Sequence, residues 1–101
     1  MNNQIYTVSK IKELLAPVFQ AYHVQRAVLF GSYAQGVATA NSDIDLCVDS
    51  GLKGMRFVGL MESVREALGG KDLDMFDTTH VEAGSNVSEE IKQTGVTIYE
   101  G

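Results

Sequence analysis

Two aspartates, Asp43 and Asp45, stand one residue apart in Ser42-Asp43-Ile44-Asp45-Leu46-Cys47-Val48. In a strand, residues i and i+2 share a face, so this spacing sets two carboxylates side by side while Ile44 and Leu46 turn toward the core. Carboxylates that close repel each other unless cations lie between them or one takes up a proton. An all-oxygen donor set suits magnesium or manganese, and a pair of such ions roughly 3.5–4 Å apart clamps both the attacking and the leaving oxygens of a phosphoryl displacement. By itself, Asp-x-Asp also fits a solvated strand end, because acids are common on surfaces.

A second feature precedes it. Gly31-Ser32 follows the apolar run Ala27-Val28-Leu29-Phe30. A glycine there lets the backbone approach a ligand, and free amides at the start of a following helical turn, with the Ser32 hydroxyl, can hold phosphate oxygens. Tyr33, Ala34, Gln35 and Gly36 form that turn. Gly-Ser taken alone fits a plain turn equally well.

These residues need a scaffold. Between Val8 and Tyr22, Ile11, Leu14, Leu15, Val18 and Phe19 recur at three- and four-residue spacing, the stripe of an amphipathic helix, with Thr7 or Ser9 as its cap. Pro17 lies inside it and predicts a kink or a break. Arg26–Phe30 and Ser42–Val48 read as strands, and Met55–Leu68 as a helix stopped by Gly69-Gly70. Leu73–Phe76 reads as a third strand. Asn86 and Glu89 have the form of a capping box opening a short helix that Gly95 closes, with a last strand over Val96–Tyr99. Strands interleaved with helices on this scale predict a mixed sheet with helices on one side and the other side free for chemistry or a partner.

At 101 residues, 45% hydrophobic, with one proline and ten glycines, the chain predicts one compact domain over residues 1–101, any second domain coming from another chain. The polar stretch Met1 to Ser9 lacks the apolar segment of a signal peptide, and no window approaches a membrane span of about 18 apolar residues, so a cytoplasmic protein with no membrane association is expected. One cysteine, Cys47, excludes an internal disulfide and a Cys-based zinc site. Acids outnumber bases 13 to 8, for a net charge of −5, which argues against gripping long nucleic acid. The same charge suits a metal-complexed nucleotide or a basic protein partner. His23 and His80 stand alone, without a partner at metal-ligand spacing.

Taken together, Gly31-Ser32, ten residues and then Asp43-Ile44-Asp45 resemble the signature of the nucleotidyltransferases of the DNA polymerase beta superfamily. The longer stretch Leu29-Phe30-Gly31-Ser32-Tyr33-Ala34-Gln35-Gly36, continued by Ser42-Asp43-Ile44-Asp45-Leu46, is similar to the minimal nucleotidyltransferase (MNT) branch in particular. The resemblance implies an α+β nucleotidyltransferase fold, a mixed β-sheet covered by helices on one face, with ATP as substrate and two Mg2+ ions, Mn2+ serving in their place. It implies Asp43 and Asp45 as metal ligands, with a third acid on a neighbouring strand that ligates one metal and helps deprotonate the attacking hydroxyl. Asp74, in Leu73-Asp74-Met75-Phe76, matches that position, with Asp72 as the competitor; Asp77 points the other way. Gly31, Ser32, Tyr33 and Ser42 then fall at the nucleotide.

The same resemblance implies a partner. Bare domains of this branch resemble one half of a two-gene toxin and antitoxin pair, in which the MNT protein adenylylates a tyrosine of its helical HEPN partner, a ribonuclease. Two other outcomes stay open: an MNT fold that neutralises its partner by contact alone, and transfer to a small molecule such as an aminoglycoside. This chain also departs from the branch. An arginine often found within the Gly-Ser loop is absent, its place taken by Tyr33 or Gln35, and Lys71, Arg56 and Arg65 are the cations left to compensate.

Overall fold

A computed structural model describes residues 4–101. Helix α1 (Val8–Ala21) leads to strand β1 (Arg26–Phe30), a single turn α2 (Ser32–Gln35), strand β2 (Ile44–Asp49), helix α3 (Met55–Ala67), strand β3 (Leu73–Asp77), a 3-10 turn (Thr78–His80), helix α4 (Asn86–Thr94) and strand β4 (Val96–Glu100).

The strands form one mixed sheet in the order β3-β2-β1-β4. β1 is antiparallel to both β2 and β4, whereas β2 and β3 are parallel, joined by the crossover through α3 that parallel neighbours require. Phe30 at the end of β1 pairs with Asp45, and Asp45 pairs with Asp74 near the start of β3. The end of β1 and the beginnings of β2 and β3 therefore meet at one end of the sheet.

Alternation along the strands divides the two faces. Ala27, Leu29, Ile44, Leu46, Val48, Met75 and Ile98 turn to one side, where they bury Ile11, Leu15 and Phe19 of α1 and Leu60, Val64 and Leu68 of the α3 side. Removing a leucine or isoleucine side chain of this kind from water is worth about 1.5–3 kcal/mol. Tyr22 ties the two helices together: its hydroxyl donates to the Gly59 carbonyl at 3.2 Å and bonds the Ser63 hydroxyl at 2.9 Å. Phe19 meets Tyr99 of β4 at 5.4 Å between ring centroids, so both belong to the core side.

The opposite face is not bare. Phe30 and Phe76 lie there with rings 6.3 Å apart, and α4 packs beside them on β1. A β-carbon on Gly95 would come to 3.0 Å of Val28, so the chain turns from α4 into β4 close against β1. Helices α1 and α3 cover the core face as expected, and α4 is an addition on the other side that the one-sided layering did not foresee.

Several local features depart from the sequence reading. Helix α1 runs unbroken through Pro17. The proline is exposed, and the carbonyl it leaves without a donor belongs to exposed Glu13, so water can satisfy it while Ile11, Leu15 and Phe19 hold the buried stripe in phase. Thr7 caps α1 by accepting from the Lys10 amide at 3.1 Å. The cap of α4 is Ser85 rather than Asn86, its hydroxyl accepting from the Ser88 amide at 3.2 Å, which moves the start one residue earlier and leaves Glu89 outside a capping box. The Gly69-Gly70 stop is as predicted: both are left-handed, and the Gly70 amide reaches back to the Arg65 carbonyl at 2.9 Å. Among the described residues, no helix is long and apolar enough to cross a membrane.

Candidate active site

The site lies at the sheet end where β1 stops and β2 and β3 begin. Gly31 follows β1 with φ 76 and ψ −152, a conformation open to glycine and costly to other residues. It also has no room for a side chain: a β-carbon would strike the Asp45 carboxylate and come to 3.4 Å of Glu90 Oε1. The bare backbone of Gly31 is thus what allows the loop to lie against the acids. Ser32 and Tyr33 then begin α2, where no carbonyl stands one turn behind to accept their amides.

Asp45 is half-buried on β2, and Asp74 sits directly across from it on β3, on the same face of the sheet. Asp43, two residues before Asp45, lies exposed just outside the strand. In the parallel register Asp74 is the cross-strand partner of Asp45, whereas Asp72 precedes β3, its carbonyl accepting from the Ile44 amide at 2.9 Å. Asp77 falls on the core face, away from them.

A fourth acid joins from an element the sequence reading left aside. Glu90 of α4 reaches the Gly31 and Asp45 neighbourhood, and Thr94, one turn on, holds the loop itself: the Gly31 amide donates to Thr94 Oγ1 at 2.8 Å, and that hydroxyl donates to the Glu90 carbonyl at 2.8 Å. Glu89-Glu90 reads in sequence as helix capping and dipole compensation. The i, i+4 spacing of Glu90 and Thr94 was the available signal that they share a helix face. Which surface that face would meet is a matter of tertiary packing.

Electrostatics at this end of the sheet are uncompensated. The Asp45 carboxyl is pushed up to about 6, first by burial and then by the charges of Asp74, Glu90 and Asp43. Among the described residues, the ion pairs join Lys10 to Glu13 and Lys92 to Glu89, both on the surface, and none reaches these four acids. An oxygen-only set with repulsion left unrelieved fits a hard divalent cation. No three acids are already drawn into a closed ligand cage among the described residues. Magnesium does not require one, since it keeps several waters and takes one or two carboxylates together with substrate phosphates.

The remaining predicted positions are less directly available. Tyr33 is 2% exposed and its ring belongs to the core, so its side chain is not presented at the loop surface. Ser42 closes the turn before β2, its hydroxyl accepting from the Thr39 amide at 2.9 Å, and so it positions Asp43. Ser32 is half-buried with no hydrogen bond to its hydroxyl among the described residues. Arg56 and Arg65 are exposed on α3, whereas Lys71 is buried. Burial, then Asp77 and Asp49, raise the Cys47 thiol, which keeps it protonated and poorly nucleophilic.

The family model for polymerase beta nucleotidyltransferases matches residues 10–101. The sequence is 34% identical over 70 residues to a proposed protein adenylyltransferase of Methanocaldococcus jannaschii, covering 67% of this chain and 74% of that one. A crystal structure of a toxin–antitoxin with AMP-PNP superimposes with a TM-score of 0.74 at 23% identity, over 89% of this chain and 73% of that one. A structure of tri-AMPylated Shewanella oneidensis HEPN toxin in complex with MNT antitoxin superimposes with a TM-score of 0.69 at 18% identity, over 94% of this chain and 74% of that one. At these identities the structural likeness speaks for the fold, and the mixed sheet with its helices is the one the sequence predicted.

Proposed function

The chain belongs to the polymerase beta nucleotidyltransferase family, and from that premise we propose that it transfers AMP from ATP to a hydroxyl of a protein partner, a tyrosine of a HEPN-type helical toxin, in the cytoplasm. The single observation that carries the reading is the meeting of Gly31 with Asp45, which presses a bare backbone loop against neighbouring, uncompensated carboxylates. The relative's description as a protein adenylyltransferase and the AMPylated HEPN toxin in a similar complex support the choice of acceptor.

In this reading the amides of Ser32 and Tyr33 and the Ser32 hydroxyl hold the phosphate chain at the loop. Asp43, Asp45 and Asp74 would hold two Mg2+ ions, which would neutralise the leaving group and lower the pKa of the acceptor hydroxyl. The acceptor oxygen attacks the α-phosphorus, the bond to the bridging oxygen of pyrophosphate breaks, and the hydroxyl proton passes to a carboxylate, with Asp74 placed to receive it. Thr94 keeps Gly31 in register with the acids throughout. The site is open on the solvent side at Asp43 and Asp74, both exposed, which leaves room for a protein-borne hydroxyl.

A second reading is favoured by specific features. The Ser32–Gln35 turn carries no basic residue, and the Tyr33 ring and the Ser42 hydroxyl are engaged internally. A domain that neutralises its partner by contact, with catalysis weak or lost, is consistent with them. Incubating the protein with its cognate HEPN partner, Mg2+ and labelled ATP separates the two. Label on a partner tyrosine that disappears with Asp43→Asn/Asp45→Asn supports transfer. Protection of cells by that double variant, with no label from the folded wild type, supports contact alone.

A further inference from the structure

Two buried side-chain polar atoms have no hydrogen-bond partner among the described residues, Lys71 Nζ and Tyr33 Oη, and they belong to side chains that touch. Lys71 is 3% exposed, and its Nζ lies 5.8 Å from the centroid of the Tyr33 ring. Burying an ammonium without an acceptor is costly, and resting on an aromatic face offsets only part of that cost. Such an arrangement persists only where something else is gained.

Its position says what. Lys71 stands two residues before β3, at the same end of the sheet as Gly31 and Asp43, because Leu73 pairs with Ile44 and the Asp72 carbonyl accepts from the Ile44 amide. Tyr33 is the second residue of the turn that follows Gly31, so Nζ rests against a ring which that turn carries. Among the described residues the other cations are all exposed, Lys12, Lys53 and Arg65 among them. Arg26 bonds Thr97 at the far end of β1, Lys10 and Lys92 pair with glutamates, and Arg56 opens α3 at the end of the sheet away from the loop. A lysine stem is long and flexible enough to turn outward from the ring without moving the backbone.

We propose that Lys71 is the cation of the phosphate loop: its Nζ rests on the Tyr33 ring in the free protein and swings to a triphosphate oxygen when nucleotide arrives, replacing the basic residue that the Ser32–Gln35 turn lacks. This rests on the reading of the site as an ATP site. Lys71 is a substrate-binding residue in this arrangement, and Tyr33 holds it in reserve.

Calorimetric titration of Mg-ATP and of Mg-tripolyphosphate into the wild type and Lys71→Met, with thermal melts of both proteins, tests the assignment. The substitution removes a buried charge while keeping the stem, so its melting temperature should be unchanged or higher, while both ligands bind about tenfold or more weakly. Lys71→Gln serves the same purpose if the methionine variant fails to fold. Unchanged affinity overturns the proposal while leaving the ATP site standing. Weaker binding accompanied by a lower melting temperature also overturns it, because Lys71 is then only a brace for the turn. A folded wild type that binds neither ligand overturns the ATP reading itself, and the proposal with it.

Discussion

Gly31 lies so close to Asp45 that no β-carbon fits between its backbone and the carboxylate. Gly31→Ala therefore meets two penalties, a left-handed φ of 76 and a collision with a charged group. A loss of about 1–3 kcal/mol in stability is expected from urea unfolding, together with loss of Mg-ATP binding, since the loop can relieve the clash only by leaving the acids. Gly36→Ala is the control. Its φ of 75 carries the conformational penalty, but a β-carbon there meets nothing within 4 Å, so binding should survive.

Asp45 should make the metal-free protein less stable as pH rises. Its folded carboxyl titrates at about 6, above the ordinary 3.8, so between those values the folded state holds the extra proton. The favourable contribution is fully present below about pH 4 and is lost as pH climbs through about 6. Asp45→Asn should remove that slope and stabilise the metal-free protein at pH 7–8, by on the order of 1 kcal/mol once solvent screening of this half-exposed group is allowed for. Magnesium should raise the melting temperature of the wild type more at pH 7.5 than at pH 5. A wild type and variant with parallel stability profiles from pH 4 to 7 would falsify the assignment.

What the sequence made legible was whatever depends on periodicity or on short local chemistry. The alternation around Asp45, the apolar stripe of α1 and the paired glycines after α3 all act within a few residues and stand as expected, although β2 begins only at Ile44 and leaves Asp43 just outside it. Helix α1 is not broken at Pro17, because a proline's cost depends on whether the orphaned carbonyl meets water, which only the packed helix decides. Which acid of β3 stands across from Asp45 depends on the register of β2 against β3, a long-range pairing. Glu90 and Thr94 reach the site because α4 folds across β1, and the burial of Lys71 under Tyr33 likewise depends on which loops meet at the sheet end.

Thr94 gives the loop its register with α4. Thr94→Val keeps the shape but removes the acceptor of the Gly31 amide, so a half-buried N–H loses its partner. The cost should be about 1–2 kcal/mol. The loss should appear in binding as well, as faster hydrogen exchange at Gly31 and weaker Mg-ATP affinity. Thr94→Ser, which restores the hydroxyl, should recover both. Exchange at Gly31 that is the same in wild type and valine variant would show that the bond does not hold the loop.

Glu90 acts on the same site through charge. Its carboxylate helps raise Asp45, after burial and Asp74, so Glu90→Gln should lower the Asp45 titration toward the ordinary carboxylate range. Carbon-detected NMR of the Asp45 side chain reads this directly. An Asp45 midpoint that stays at about 6 in the variant would mean that burial and Asp74 account for the whole effect.

Asp77 is the counter-example among the acids, buried on the core face with both oxygens occupied. Oδ1 accepts from the Ser50 amide at 3.2 Å and the Ser50 hydroxyl at 2.6 Å, and Oδ2 accepts from the Thr79 amide at 3.1 Å and the Thr79 hydroxyl at 2.6 Å. Burial alone raises such a carboxyl, but the bonds from Ser50 and Thr79 outweigh it and hold the group below its ordinary value. Its contribution to stability is therefore present above about pH 4 and is lost as pH falls through the lowered folded value, opposite in sign to that of Asp45. In Asp77→Asn, one amide nitrogen must face donors. The hydroxyls can turn to accept, but a backbone N–H cannot, so a cost of about 2–4 kcal/mol is expected from urea unfolding at pH 7. Because Asp77 joins the ends of β2 and β3 farthest from Gly31, the folded variant should bind Mg-ATP as the wild type does. Loss of binding without loss of stability would place Asp77 with the site after all.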